Sequence, residues 1–188
     1  SGPRVMEAFE RGVISSGVDV INLGVVPTPV LYFSLHRLEV YGGVIITGSH
    51  NPPSWNGFKL CNGTHSMHGD QIQELLRLIQ SEDFESGQGE RVTYDICPDY
   101  VSWQAENIQT GARPISVVID AGNGTAGIVA GDIYRAIGAE VIELFCEPDG
   151  HFPNHHPDPT IEDNIADLRR AVAESKADIG IAYDGDAD

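Results

Sequence analysis

The stretch Ser116-Val117-Val118-Ile119-Asp120-Ala121-Gly122-Asn123-Gly124 decides how this chain folds. Its first half is a β-branched run, which predicts a buried strand over Ser116–Asp120. Ala121-Gly122-Asn123-Gly124 then predicts a tight turn in which glycine supplies positive φ, opening a helix that runs to about residue 137. A strand over Glu140–Leu144, a helix over 161–174 and a strand over 178–182 follow. Strands separated by helices of ten or more residues form βαβ units with right-handed crossovers and a parallel sheet.

Working outward, the first half of the chain shows the same alternation. Pro3 suits the first turn of a helix, and Val5, Met6, Phe9 and Val13 carry its apolar spacing as far as Gly17. A strand is expected over 18–23, a helix over 28–38 opened by the Pro27/Pro29 turn, and a buried strand over 41–47. A short return strand at 58–61 and a helix over 70–79 come next. Residues 81–96 are polar and Gly-rich, so a domain boundary is placed there, before a helix at 100–108. The expected fold is α/β: two consecutive domains, 1–96 and 97–188, built of βαβ units with mixed, mostly parallel sheets.

The chain has 188 residues, 41% of them hydrophobic, and a formal net charge of −17. Such acidity argues against nucleic acid or an anionic membrane as the main partner, and no apolar run is long enough to span a bilayer. Cys61, Cys97 and Cys146 are odd in number and lack a CxxC pair, which reads as reduced packing thiols in a cytoplasmic protein. The chain opens on Ser1-Gly2-Pro3 without a signal region and stops within a run of carboxylates. It is therefore expected to be a fragment.

Two motifs carry chemistry. Thr47-Gly48-Ser49-His50-Asn51-Pro52 places a serine on an exposed Gly/Asn/Pro loop directly after a strand. Such a serine is either a turn residue or a hydroxyl presented for reaction. It is not a Gly-x-Ser-x-Gly nucleophile elbow, because Asn51 stands where the second glycine is required. Lys59, in a hairpin-like return, is placed to neutralise phosphate charge or donate a proton to a leaving oxygen. The second motif is Asp184-Gly185-Asp186-Ala187-Asp188. Its three carboxylates form either a solvated acidic turn or, if small Gly185 and Ala187 allow a tight loop, an all-oxygen site for Mg²⁺, Mn²⁺ or Ca²⁺. The strand-like 179–182 before it argues against an EF-hand, which follows a helix.

Two further segments read as structural. Residues 149–159 hold three histidines and two aspartates, but their prolines make a stiff connection, without cysteine or helical i,i+4 spacing for zinc. Residues 120–125 lack both GxGxxG and the Walker lysine, so they read as a strand-to-helix turn with a supporting role near the site left open.

Together these residues resemble the α-D-phosphohexomutase family, and within it the bacterial phosphomannomutase/phosphoglucomutase branch. The phosphoserine loop T-x-S-H-N-P then N-G-x-K is matched by Thr47, Ser49, His50, Asn51, Pro52, Asn56, Gly57 and Lys59. The metal loop D-G-D-x-D-R is matched by residues 184–188, without the arginine. Residues 148–155 resemble the family's second domain, and Ser1-Gly2 resembles the tail of its arginine-containing loop. The resemblance spans the chain but omits the family's sugar-reading third domain and its phosphate-clamping fourth.

What the resemblance implies is a mutase that interconverts hexose 1- and 6-phosphates of mannose or glucose. Ser49 would carry the phosphoryl group, with hexose 1,6-bisphosphate as intermediate and activator. Asp184, Asp186, Asp188 and a phosphoserine oxygen on Ser49 would bind Mg²⁺; Lys59 would assist at the bridging oxygen and His50 would orient the loop. The partner would be a phosphosugar, the full-length enzyme a monomer or dimer, and this chain alone inactive. Phosphoglucosamine mutase shares both loops, and a cation-binding module in which Ser49 is only a turn residue is the alternative of another class.

Overall fold

The computed structural model describes residues 2–52 and 55–188. They form two compact units. One contains the chain up to Gly24, Ser34–Thr47 and Asn56–Asp95; the other contains Val25–Phe33, Gly48–Trp55 and Ile96–Asp188. The second unit thus draws two short segments from the first half of the sequence, and one of them is the serine loop. Ser1, with its resemblance to the arginine loop, lies outside the described residues.

In the first unit, helix α1 (Gly2–Ser15) packs on strands β1 (Val20–Asn22) and β2 (Gly42–Thr47). Helix α2 (Thr28–Arg37) lies between them in sequence. Strand β2 pairs antiparallel with β3 (Gly57–Asn62), so that Ile45 faces Lys59, and β3 pairs with the two-residue β4 (His65–Ser66). After helix α3 (Asp70–Ser81), strand β5 (Arg91–Thr93) pairs parallel with β1. Strand β5 falls in the stretch read as polar and Gly-rich, and β4 in one to which no element was assigned. All five of their residues are exposed, so no apolar alternation marks them.

The second unit is built around β6 (Ser116–Asp120), flanked by parallel strands β7 (Glu140–Leu144) and β8 (Ile179–Ala182) in the order β7-β6-β8. Helix α4 (Cys97–Asn107) precedes β6 and starts earlier than its apolar spacing suggested, because Pro98 fits its first turn. Helix α5 (Ala130–Ala136) connects β6 to β7, and α6 (Ala166–Ser175) connects β7 to β8. Each was expected to be longer. Instead, 3₁₀ turns at Thr125–Ile128 and Glu162–Ile165 lead into them. Gly127 and Gly131 weaken regular helix in the first case, and short 3₁₀ segments are common at helix N-termini.

Strand alternation sorts the core into two layers. Val117 and Ile119 pack with Ala126 and Ala130 on the α5 face. Val118 lies in register with Gly180, and a Cβ on Gly180 would meet Leu168 and Val172, so this face is covered by α6. Val117, Val118 and Ile119 are all fully buried. A central parallel strand enclosed on both faces explains the unbroken apolar run that identified it. The sheets of the chain as a whole are mixed: parallel at β1/β5 and β7/β6/β8, antiparallel at β2/β3/β4.

Candidate active site

Parallel sheets place ligands beyond the carboxyl ends of their strands, and β8 delivers the chain from Ala182 into Asp184 at such an end. Tyr183 continues the strand, its N–H donating to the Asp120 carbonyl over 3.0 Å. Its phenol meets that of Tyr134 at 2.9 Å, and burial together with this partner raises the Tyr183 pKa. The chain then turns sharply. Ala187 adopts φ 61°, its N–H reaches the Asp184 carbonyl at 3.3 Å, and the Asp188 N–H donates to Asp184 Oδ1 at 3.2 Å. A β-strand would have spread the three carboxylates; this turn brings one oxygen of each within 4.8 Å of the others.

The serine loop reaches the same place within the second unit. Ser49 has φ 48°, a left-handed conformation that costs a non-glycine residue roughly 1–2 kcal/mol. The turn is closed by the Asn51 N–H donating to the Gly48 carbonyl at 2.8 Å. Ser49 Oγ donates to Asp184 Oδ2 at 2.6 Å and lies 3.1 Å from His50 Nδ1. His50, about half exposed, also stands 3.7 Å from Asp184 Oδ2. The carbonyl of Ser49 approaches Gly185 so closely that a Cβ there would lie 2.4 Å from it. Lys59 sits on β3 in the first unit.

Two loops support the carboxylate turn from beneath. Thr125 donates to the Gly185 carbonyl through its N–H at 3.0 Å and its hydroxyl at 3.3 Å. Gly124 lies against the same peptide, where a Cβ would come within 2.7 Å of the Gly185 oxygen. The supporting role left open for 120–125 is therefore what its contacts provide. The His/Pro segment 149–159 holds that loop in turn. His155 Nε2 meets both oxygens of buried Asp120 at 3.0 and 3.1 Å, and Asn154 Nδ2 donates to Asn123 Oδ1 at 2.7 Å. His151 pairs with Asp149 at the surface. These histidines face separate partners; among the described residues only Asp184, Asp186 and Asp188 are grouped as cation ligands would be.

One residue of the site was not read from the sequence. Thr28, fully buried between Pro27 and Pro29, donates its N–H to the Asp186 carbonyl at 2.9 Å and its hydroxyl to Asp186 Oδ2 at 2.7 Å. The available signal was a threonine flanked by prolines at a helix start, a position that favours capping rather than packing. The grouped carboxylates and the Ser49 hydroxyl offer oxygen donors, with the His50 ring nitrogen beside them. The three carboxylates fit a hard divalent cation, and the set holds no thiolate for an iron–sulfur cluster.

None of the three cysteines is in a disulfide; burial and the nearby Glu143 push the Cys146 thiol up to about 11. No helix among the described residues is long and apolar enough to cross a membrane.

Comparison with known proteins gives the arrangement its context. The family model "Phosphoglucomutase/phosphomannomutase, alpha/beta/alpha domain I" matches residues 1–86, and that of domain II matches residues 98–188. A phosphoglucomutase of Neisseria gonorrhoeae is 47% identical over the whole chain, and a phosphomannomutase/phosphoglucomutase of Pseudomonas aeruginosa is 44% identical over the whole chain. The chain spans 41% and 40% of their respective lengths. A crystal structure of a phosphoglucomutase/phosphomannomutase family protein from Burkholderia thailandensis superposes with a TM-score of 0.92 at 42% identity, over 99% of this chain and 42% of that one. With both domain models matched in order and whole-chain identities above 40%, the chain belongs to the phosphoglucomutase/phosphomannomutase family.

Proposed function

We propose that the protein carrying this chain is a hexose-phosphate mutase that moves a phosphoryl group between the 1- and 6-positions of glucose or mannose through Ser49. The observation that supports it most is the 2.6 Å approach of Ser49 Oγ to Asp184 within a cluster of three carboxylates. A serine held in a strained turn beside three carboxylates suits a site where a cation held by those carboxylates offsets the charge of a phosphoserine, and a mere surface turn needs neither feature.

In this reading residues 1–96 and 97–188 are the first two domains of the enzyme, and Asp184, Asp186, Asp188 and an oxygen of phospho-Ser49 hold Mg²⁺. Bound there, Mg²⁺ supplies the positive charge that offsets the charge of the transferring phosphoryl group. The sugar hydroxyl attacks phosphorus, the bond from phosphorus to Ser49 Oγ breaks, and the proton of the sugar hydroxyl returns to Oγ. Lys59 assists that proton movement and the bridging oxygen, while His50 holds the serine loop. The resulting hexose 1,6-bisphosphate turns over and gives its other phosphoryl group back to Ser49, so the enzyme ends each cycle phosphorylated. We place the enzyme in the cytoplasm, from an odd number of cysteines without a CxxC pair, and expect it to be a monomer or dimer as the family resemblance implies.

The test is turnover of glucose 1-phosphate and mannose 1-phosphate by the intact protein with Mg²⁺ and a trace of hexose 1,6-bisphosphate. Formation of the 6-phosphates supports the reading, with the ratio of rates defining the preferred hexose. Turnover of glucosamine phosphates alone would make the enzyme a phosphoglucosamine mutase, and no turnover of any of them would overturn the assignment. The 188-residue chain by itself, which spans 41% of its relatives, is expected to be inactive.

A further inference from the structure

We infer that Thr28 determines which divalent cation the carboxylate cluster accepts, an inference that rests on reading Asp184, Asp186 and Asp188 as a cation site. Thr28 is 0% exposed and Asp186 2% exposed, so the contact between them is shielded from water. Thr28 grips Asp186 at two points: the main-chain carbonyl through its N–H, and Oδ2 through its hydroxyl. The prolines on either side restrict the backbone, so this hydroxyl is directed with little freedom to turn away.

A hydroxyl donating to a buried carboxylate makes a charge-assisted bond, stronger than a neutral one and costly to leave unmade. It also fixes the rotation of the carboxylate. With Oδ2 turned to Thr28, Asp186 is set to offer a cation one oxygen. Swinging both oxygens onto the cation would weaken the bond to Thr28. Mg²⁺ takes six ligands in a tight octahedron and is satisfied by single carboxylate oxygens and water; Ca²⁺ takes six to eight and often draws a carboxylate in bidentate mode. Thr28 therefore penalises Ca²⁺ more than Mg²⁺. Asp184 is restrained similarly, by Ser49 on Oδ2 and the Asp188 N–H on Oδ1. Those partners belong to the proposed reacting groups and ligands. Thr28 does not, and it acts on the cluster through its bonds to Asp186, so it is a positioning residue.

The test is titration calorimetry of the intact protein with MgCl₂ and with CaCl₂, comparing wild type, Thr28→Val and Thr28→Ser, with circular dichroism to check the fold. Valine keeps the shape and removes the donor; serine keeps the donor. The ratio of the Ca²⁺ to the Mg²⁺ dissociation constant is expected to fall roughly tenfold in Thr28→Val, the loss of one charge-assisted bond. In Thr28→Ser it should stay close to wild type. An unchanged ratio in a folded Thr28→Val would overturn the inference while leaving the cation site standing. Wild-type protein that binds neither ion would overturn the site itself and the inference with it. Should Thr28→Val fail to fold, Thr28→Ala against Thr28→Ser makes the same comparison.

Discussion

Ser49 Oγ donates to Asp184 Oδ2 across 2.6 Å, joining two residues 135 positions apart in the chain. A hydroxyl has one proton to give, so the 3.1 Å contact with His50 Nδ1 is a hydrogen bond only in the tautomer whose Nδ1–H donates to Oγ. Phosphorylation removes that proton and sets a phosphate against a carboxylate. Like charges at this range repel unless a cation lies with them.

The first consequence concerns metal removal. Mg²⁺ should raise the melting temperature of the Ser49-phosphorylated protein by several degrees more than that of the dephosphorylated form, and chelation should abolish the difference. Differential scanning fluorimetry of the two forms with and without EDTA reads this directly. Equal shifts would mean that the phosphate and the cation do not share a site.

Gly185 is the second point of contact. A methyl group there would sit 2.4 Å from the Ser49 carbonyl oxygen and 3.1 Å from its carbon, both backbone atoms that cannot rotate aside. Gly185→Ala must therefore separate the serine loop from the carboxylate turn. Misplacing a reacting group by about 1 Å can cost on the order of 100-fold in rate, and a drop of that size is expected in kcat. A variant within threefold of wild type would show that the two loops need not touch.

Strain at Ser49 can be isolated by comparing two substitutions that both delete the hydroxyl. Alanine retains the Cβ that disfavours φ 48°, whereas glycine does not. Ser49→Gly is expected to be more stable than Ser49→Ala by about 1 kcal/mol, the reverse of the usual order in regular structure. Urea unfolding of both settles it, and a more stable alanine variant would argue against a left-handed residue.

Asp178 supplies an acid-sensitive anchor at the start of β8. Its carboxylate accepts from both terminal nitrogens of Arg113 and from the Ser116 N–H, which lowers its pKa to about 2. An unfolded aspartate titrates near pKa ~3.9. The folded value is the lower one, so this anchor stabilises the fold above about pH 4 and is lost as pH falls towards 2. Asp178→Asn should be less stable than wild type at pH 7, with the gap closing between pH 4 and pH 2 in thermal melts. A gap independent of pH would mean that the charge contributes nothing.

The legibility of this chain followed the physics of each element. Strand β6 was readable because a strand buried on both faces must be apolar throughout. The carboxylates at alternate positions were readable because small Gly185 and Ala187 permit the turn that gathers them. Strands β4 and β5 left no trace, being held by backbone pairing with side chains exposed on both faces. Thr28 was hidden for another reason: its partner lies 158 positions away, and a lone threonine between prolines carries no mark of what it will meet. The His/Pro segment showed its stiffness in sequence, but its grip on Asp120 emerged only from the folded chain.

The central claim is that Ser49 carries the phosphoryl group, and peptide mass spectrometry of the intact purified protein tests it most directly. The account predicts phosphate on Ser49, lost on incubation with a hexose monophosphate and Mg²⁺ and restored by hexose 1,6-bisphosphate. A Ser49 that stays unmodified even with the bisphosphate and Mg²⁺ would contradict it and leave a cation-binding module whose serine only shapes a turn.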